Sequence, residues 1–201
     1  MFKFLTPASL AAILAVSAPL AAQETETNEA EAESPTEQLL DLGQPVNDGP
    51  QLGDRYSKSK HGDWDLACIK TDSDNDPCSI VQVLHDANDK PIAEFSLFRL
   101  EGGGQAAAWA TAIVPLETLL PAQLTISVDG APGKRYNYSY CNPIGCYAHV
   151  GLTQSDVDAF KKGKSAKLSL RPAPAPDQLV ELELSLTGFT AGYDIVDVVK
   201  Q

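Results

Sequence analysis

Positive charge is scarce in this sequence: 15 Lys and Arg stand against 27 Asp and Glu, a formal net charge of −12 over 201 residues. A chain that neutralises phosphates needs clustered cations, so nucleic acid is excluded as the main partner and docking on anionic lipid is disfavoured. Histidine is scarcer still, with only His61, His85 and His149. Together with the cysteines they do not make a metal-binding pattern, so each reads as a strand or surface residue, and no metal or cofactor is expected. There is no Gly-x-Ser-x-Gly elbow and no assignable Ser, His and Asp triad, and Gly102-Gly103-Gly104 lacks the lysine of a phosphate loop. No catalytic residue is therefore expected, and the triple glycine reads as a hairpin tip.

Long apolar runs are also missing, save at the start. Residues 1–22 carry one charge, Lys3, then Leu5, Leu10, Ile13, Leu14 and Val16, and end in small residues before Gln23. That three-part layout predicts a cleaved signal peptide, while Pro7 and Pro19 and the alanine richness argue against a spanning helix. The mature chain is expected to be soluble, with no integral membrane segment, in the periplasm or secreted and associated with the cell surface.

The charge that is present is unevenly spread. Residues 23–60 hold nine acids and three bases, and residues 61–201 hold eighteen and eleven. The first stretch, Glu-rich and then Gly/Pro-rich, is too poor in apolar side chains to offset its ordering entropy and is expected to be a disordered acidic linker. From His61 the pattern becomes short and alternating, as in Trp64-Leu66-Cys68, Leu124-Ile126-Val128 and Leu182-Leu184-Leu186, with turn signals at Asp86 to Pro91, Asp129-Gly130 and Asn142-Pro143. Eight or nine strands, including one over 136–140, predict an all-β antiparallel sandwich over 61–201. One short helix interrupts it: Thr153-Gln-Ser-Asp156 is a capping box, and Lys161-Lys162-Gly163 ends it. A helical turn at 116–120, closed by Pro121, and an extended loop over Pro172, Pro174 and Pro176 complete the reading.

Cysteine is rare but even in number: Cys68, Cys78, Cys141 and Cys146. In an exported chain such a set implies disulfides. Three pairings are possible; the local one, 68 with 78 and 141 with 146, needs the least loop closure and is the expected one. A redox-active pair would need a low-pKa thiolate, typically in Cys-x-x-Cys at a helix N-terminus, which Cys141-x4-Cys146 is not. Asp72-Ser-Asp74-Asn-Asp76 opens like a calcium loop, but Pro77 and Val83 stand where glycine and a bidentate acid belong. Trp64, Trp109 and the tyrosines at 136, 138, 140 and 147 form either a binding face or ordinary core and cross-strand pairs.

Several of these features, in order, carry a family likeness. They are Gly62-Asp63-Trp64 followed by Cys68, Cys78-Ser-Ile-Val-Gln82, Ile113-Val-Pro-Leu116, Leu119-Leu120-Pro121, Val128-Asp129-Gly130, Cys141 with Gly145-Cys146, the Leu152 helix region and Leu186-Thr-Gly188-Phe189-Thr-Ala191-Gly192. Together they resemble the bacterial invasion-associated locus B family along most of 61–201. The resemblance implies an exported envelope protein with an immunoglobulin-like sandwich and two disulfides, linked in some members to host-cell entry, and no established catalytic residues. The expected function is a non-enzymatic binding module for a protein or other envelope partner. A structural or stress-related periplasmic role and a thiol-disulfide redox role are the alternatives.

Overall fold

The computed structural model describes residues 41, 43–46, 49–102 and 104–200. It divides the chain into residues 1–47 and 48–201, and the fold below is that of the second unit. The leader and most of the acidic arm lie outside the described residues.

Two sheets form, and in most strands inward positions are apolar while outward ones are mixed, as a half-buried sheet requires. The large sheet runs β1 (Arg55–His61), β2 (Trp64–Ile69), β3 (Cys78–His85), β4 (Pro91–Leu100), β5 (Ala108–Val114), β9 (Gly145–Leu152), β8 (Tyr138–Asn142). The small sheet runs β11 (Val180–Ser185), β10 (Ser165–Leu170), β6 (Leu124–Val128), β7 (Lys134–Tyr136). Every pairing along these two paths is antiparallel, and β12 (Val198–Val199) adds a short parallel partner to β4. An all-β sandwich is thus what the chain forms, with twelve strands among the described residues.

Between the sheets, Ala108, Ala110, Ala112 and Ala148 present small side chains at the middle of the large sheet, which leaves depth for Leu124, Leu168, Leu182 and Leu184 from the other layer. One end is filled by rings. Trp64 meets Phe95 and Phe189 edge-on, and Phe160 lies 5.3 Å from Phe189.

Helix α1 (Gln154–Lys162) carries the expected reciprocal cap between Thr153 and Asp156, and it buries Val157 and Phe160. Its terminal Gly163 does not turn left-handed as that signal suggests. It sits at φ −75°, and it must be small because a Cβ would come within 2.8 Å of Val128 and Leu186.

Four expectations need correction. The strands begin at Arg55, not His61: β1 is an exposed edge strand of mostly polar residues, so its alternation carries no apolar signal. A second helix, α2 (Phe189–Ile195), forms without a side-chain cap, held by burial of Phe189, Gly192 and Tyr193. The stretch over 136–140 is two strands in different sheets, the chain crossing between layers at Asn137. The turn placed at 116–120 is a 3-10 turn over Leu120–Ala122 with Pro121 inside it, where proline's fixed φ is tolerated.

Candidate functional site

Two regions bring together the residues singled out by the sequence. The first is the corner where Gly62-Asp63-Trp64 meets the end of β11. Gly62 has φ +59° and Gly188 φ +84°, and a Cβ on either would fall within 2.5 Å of the other segment's backbone carbonyl oxygen. Both must be glycine for the two turns to touch. Asp63 N–H donates to the Thr187 carbonyl at 3.1 Å, and the Ser185 hydroxyl donates to the Asp63 carboxylate.

β11 is an edge strand, so the outward N–H and C=O of Ser185 have no strand partner. The buried amide of Gln82 takes that place: Ser185 N–H donates to Gln82 Oε1 at 2.7 Å, and Gln82 Nε2 donates to the Ser185 carbonyl at 3.0 Å. The Trp64 indole N–H donates to the same carbonyl at 2.9 Å. The motif residues therefore fasten the sheets together. Beside them lies a cleft of about 570 Å³, lined by Asp63, Asp65, His85 and Glu183 among others. The Ser185 hydroxyl there is engaged by the Asp63 carboxylate, with no histidine bonded to it among the described residues. The close Ser–His contact among the described residues, Ser59 Oγ to His61 Nε2 at 2.9 Å, lies on edge strand β1 with no carboxylate bonded to the ring.

The second region is the outward face of β4, β5, β9 and β8. Register places Phe98 across from Trp109, Trp109 across from Gly151, Thr111 across from His149, and Ile113 across from Tyr147. Because Gly151 has no side chain, the indole of Trp109 leans instead toward His149, with ring centroids 5.0 Å apart. Tyr140 meets His149 edge-on at 5.9 Å and stacks on Tyr147 at 4.7 Å, within 14° of parallel. Trp109 and Tyr140 remain 39% and 49% exposed. Next to Trp109, Phe98, Leu100, Ala106 and Val199 line a shallow apolar trough of about 640 Å³. A row of rings on a sheet face with an open trough is suited to contact.

The sequence treated the aromatics as one set, and the structure divides them. Trp64 is fully buried; Tyr136 and Tyr138 pack against the core; Trp109, Tyr140 and Tyr147 are on the face. His149, read as an ordinary strand residue, is part of the row, and the signal for that was its position two residues after Tyr147 on the same strand. A register shift between Tyr138 and Tyr140 sends these two rings to opposite sides. Burial pushes the Tyr138 hydroxyl up to about 12, and its oxygen has no hydrogen-bond partner.

The remaining candidates are structural. Cys68 and Cys78 face each other across β2 and β3, and Cys141 and Cys146 across β8 and β9; both pairs are bonded. Both lie on strands and neither is at a helix N-terminus, the setting that favours a reactive thiolate. In the acidic loop Asp76 accepts from Thr71 N–H at 2.7 Å, from Tyr56 hydroxyl at 2.8 Å and from Thr71 hydroxyl at 2.9 Å, and it pairs with Lys70. These bonds hold its carboxyl far below the usual range. Asp76 is thereby a loop clamp, and no group of three His, Cys, Asp or Glu among the described residues is arranged to hold a metal ion. No helix among them is long and apolar enough to cross a membrane.

Comparison with known proteins agrees with this geometry. The family model described as invasion associated locus B (IalB) protein matches residues 64–197. Invasion protein B homologs from two strains of Brucella abortus are each 26% identical over 139 residues, spanning 69% of this chain and 78% of theirs. The crystal structure of invasion associated protein B from Bartonella henselae aligns with a TM-score of 0.55 and 20% identity, over 67% of this chain and 91% of that one. The chain belongs to the invasion associated locus B family.

Proposed function

We propose that this protein is an exported, non-enzymatic binding module of the bacterial envelope, and that it makes its contacts through the aromatic face of β4, β5, β9 and β8. The observation that carries the reading is the exposed row Trp109, His149, Tyr140 and Tyr147 on a disulfide-bonded sandwich. Aromatic side chains supply large contact area at low entropic cost, and sheet faces that stay in water are normally polar. The leader-like first 22 residues support export, as do cysteine pairs of the kind that form and persist in oxidising compartments. The periplasm or the cell surface is the site of action, and the names of the Brucella and Bartonella relatives make a role in contact with a host cell one setting for it.

A photo-crosslinking side chain placed at Tyr140 in living cells tests the reading. A reproducible adduct from Tyr140, absent when the same probe replaces Lys167 on the small sheet, is expected. Equal labelling from both positions, or none from either, would overturn it. The secreted chain should begin at Gln23, which N-terminal sequencing reads directly.

A further inference from the structure

We infer that the partner covering this face is a second copy of the same chain, packed face to face about a two-fold axis. The inference rests on the reading of the face as a contact surface and adds its occupant.

Charge is the first argument. Residues 61–201 carry a net −7, and residues 23–60 a further −6. Two copies approaching through most of their surface therefore oppose like charges. The outward positions of β4, β5, β9 and β8 are Ile92, Glu94, Ser96, Phe98 and Leu100; Trp109, Thr111 and Ile113; Tyr147, His149 and Gly151; and Tyr140. Glu94 is the one carboxylate among them, and Arg55 pairs with it at 2.9 Å. This is the region where an acidic chain can meet its own copy without setting carboxylates against carboxylates, and interface cores are likewise poor in charge and rich in rings.

Size is the second. Four strands about 4.8 Å apart, each contributing about seven residues at ~3.3 Å, make a rectangle of roughly 440 Å² before side-chain relief is counted. Leu100 and Val199 extend it at one end, and Pro115 and the exposed Ile144 at the other. The largest apolar patch of an ordinary monomer is ~300–600 Å², and a standard interface takes about 800 Å² from each partner. The flat sheet face supplies about half of that 800 Å², and side-chain relief and the flanks at Leu100, Val199, Pro115 and Ile144 extend it toward that size. Symmetry is the third argument: an isologous contact sets one surface against itself, which a face whose one carboxylate, Glu94, is already paired with Arg55 permits. A two-fold near Thr111, at the middle of the face, brings the Trp109 end of one copy over the Tyr140 end of the other.

Light scattering and sedimentation of the exported chain test this. Twice the chain mass is expected, with dissociation in the micromolar range or tighter. Trp109 is the exposed one of the two tryptophans, so acrylamide quenching should fall as dimer forms. Thr111→Glu places two carboxylates together at the axis and should give monomer with unchanged circular dichroism; Tyr140→Glu, on an edge strand, does the same should Thr111→Glu fail to fold. Lys167→Glu, on the small sheet, should stay dimeric. A monomer at every concentration, or a dimer that survives both folded face variants, overturns the inference. If the purified chain is monomeric while the Tyr140 probe still captures a different protein in cells, the face binds a foreign partner: this inference fails and the proposed function stands. Failure of both experiments removes both.

Discussion

Removing the Gln82 amide should loosen the sandwich by an amount the hydrogen bonds set. Gln82 is 8% exposed, and it supplies the edge of β11 with an acceptor for the Ser185 N–H and a donor for its carbonyl. In Gln82→Leu the shape is nearly kept, but the N–H loses its partner, at a cost of about 1–3 kcal/mol for a buried donor left unpaired. The carbonyl still accepts from the Trp64 indole at 2.9 Å, so its loss is under ~1 kcal/mol. The sum is about 1–4 kcal/mol, or a fall in Tm of roughly 3–12 °C for a domain of this size. Urea unfolding with disulfides intact should show a lower midpoint with the slope unchanged, because the surface exposed on unfolding is the same. Val83→Thr, on the next residue and facing outward at 46% exposure, is the matched control and should stay within about 0.5 kcal/mol. A Gln82→Leu midpoint equal to that of the control would refute the reasoning, since β11's edge would then be satisfied by water and the inter-sheet fastening would be absent.

Gly188→Ala puts a Cβ 2.0 Å from the His61 carbonyl oxygen at a φ of +84°, and it should cost more than ~3 kcal/mol, read as a lost or strongly lowered melting transition. Tyr138→Phe removes a buried hydroxyl without a partner and should raise stability by about 1 kcal/mol in the same urea assay. Breaking the pair at 141 and 146 with two serines should cost about 2 kcal/mol, and breaking the pair at 68 and 78 about 2.7, because the second closes the longer loop. Acid should unfold the protein in a defined window. Backbone N–H donors from Ser165 and Lys164 hold Asp129 below its ordinary value, and Thr71 and Tyr56 do so for Asp76. Carboxyls depressed in the folded state contribute stability that is complete above the unfolded value near pH 4 and is lost as pH falls below it. The urea midpoint should hold from pH 7 to about 5 and drop below 4, and Asp129→Asn should flatten that drop.

Period-two patterning was readable wherever one face of a strand is buried, as at Leu124-Ile126 and Leu182-Leu184, because the alternation is itself the record of which side faces the core. It failed where burial is not the cause of the structure. β1 forms by pairing with β2 through the backbone while most of its side chains are polar and only Tyr56 packs against the core, so its sequence looks like linker. α2 has a left-handed glycine at its start and another glycine inside, poor helix signals, and it exists because Phe189 and Tyr193 pack beneath β2 and α1. The division of the aromatics was hidden for a third reason. Face is set by register, and the shift between Tyr138 and Tyr140 is a property of the pairing with β9, not of the residues on β8.

The residues that identify the family and the residues on the contact face are different sets. Gly62, Asp63, Trp64, Gln82 and Gly188 are engaged in joining one sheet to the other, and Phe189 in filling the end of the core. Their side chains are turned inward or bonded to backbone, so a protein can share all of them and present any surface at all. Trp109, Tyr140 and His149 are outside the quoted motifs, stay part-exposed, and touch one another and their neighbours on the same outward face. It follows that membership of the family fixes a scaffold, while the binding proposed above rests on which side chains occupy the outward positions of four strands. A relative with the same corner but charged residues at the positions of Trp109 and Thr111 should keep the fold and lose the contact, and exchanging those outward residues between two such proteins should transfer binding without moving the melting temperature by more than a few degrees. Loss of the fold on that exchange would show that the face contributes to the core after all, and that the two sets are not separable.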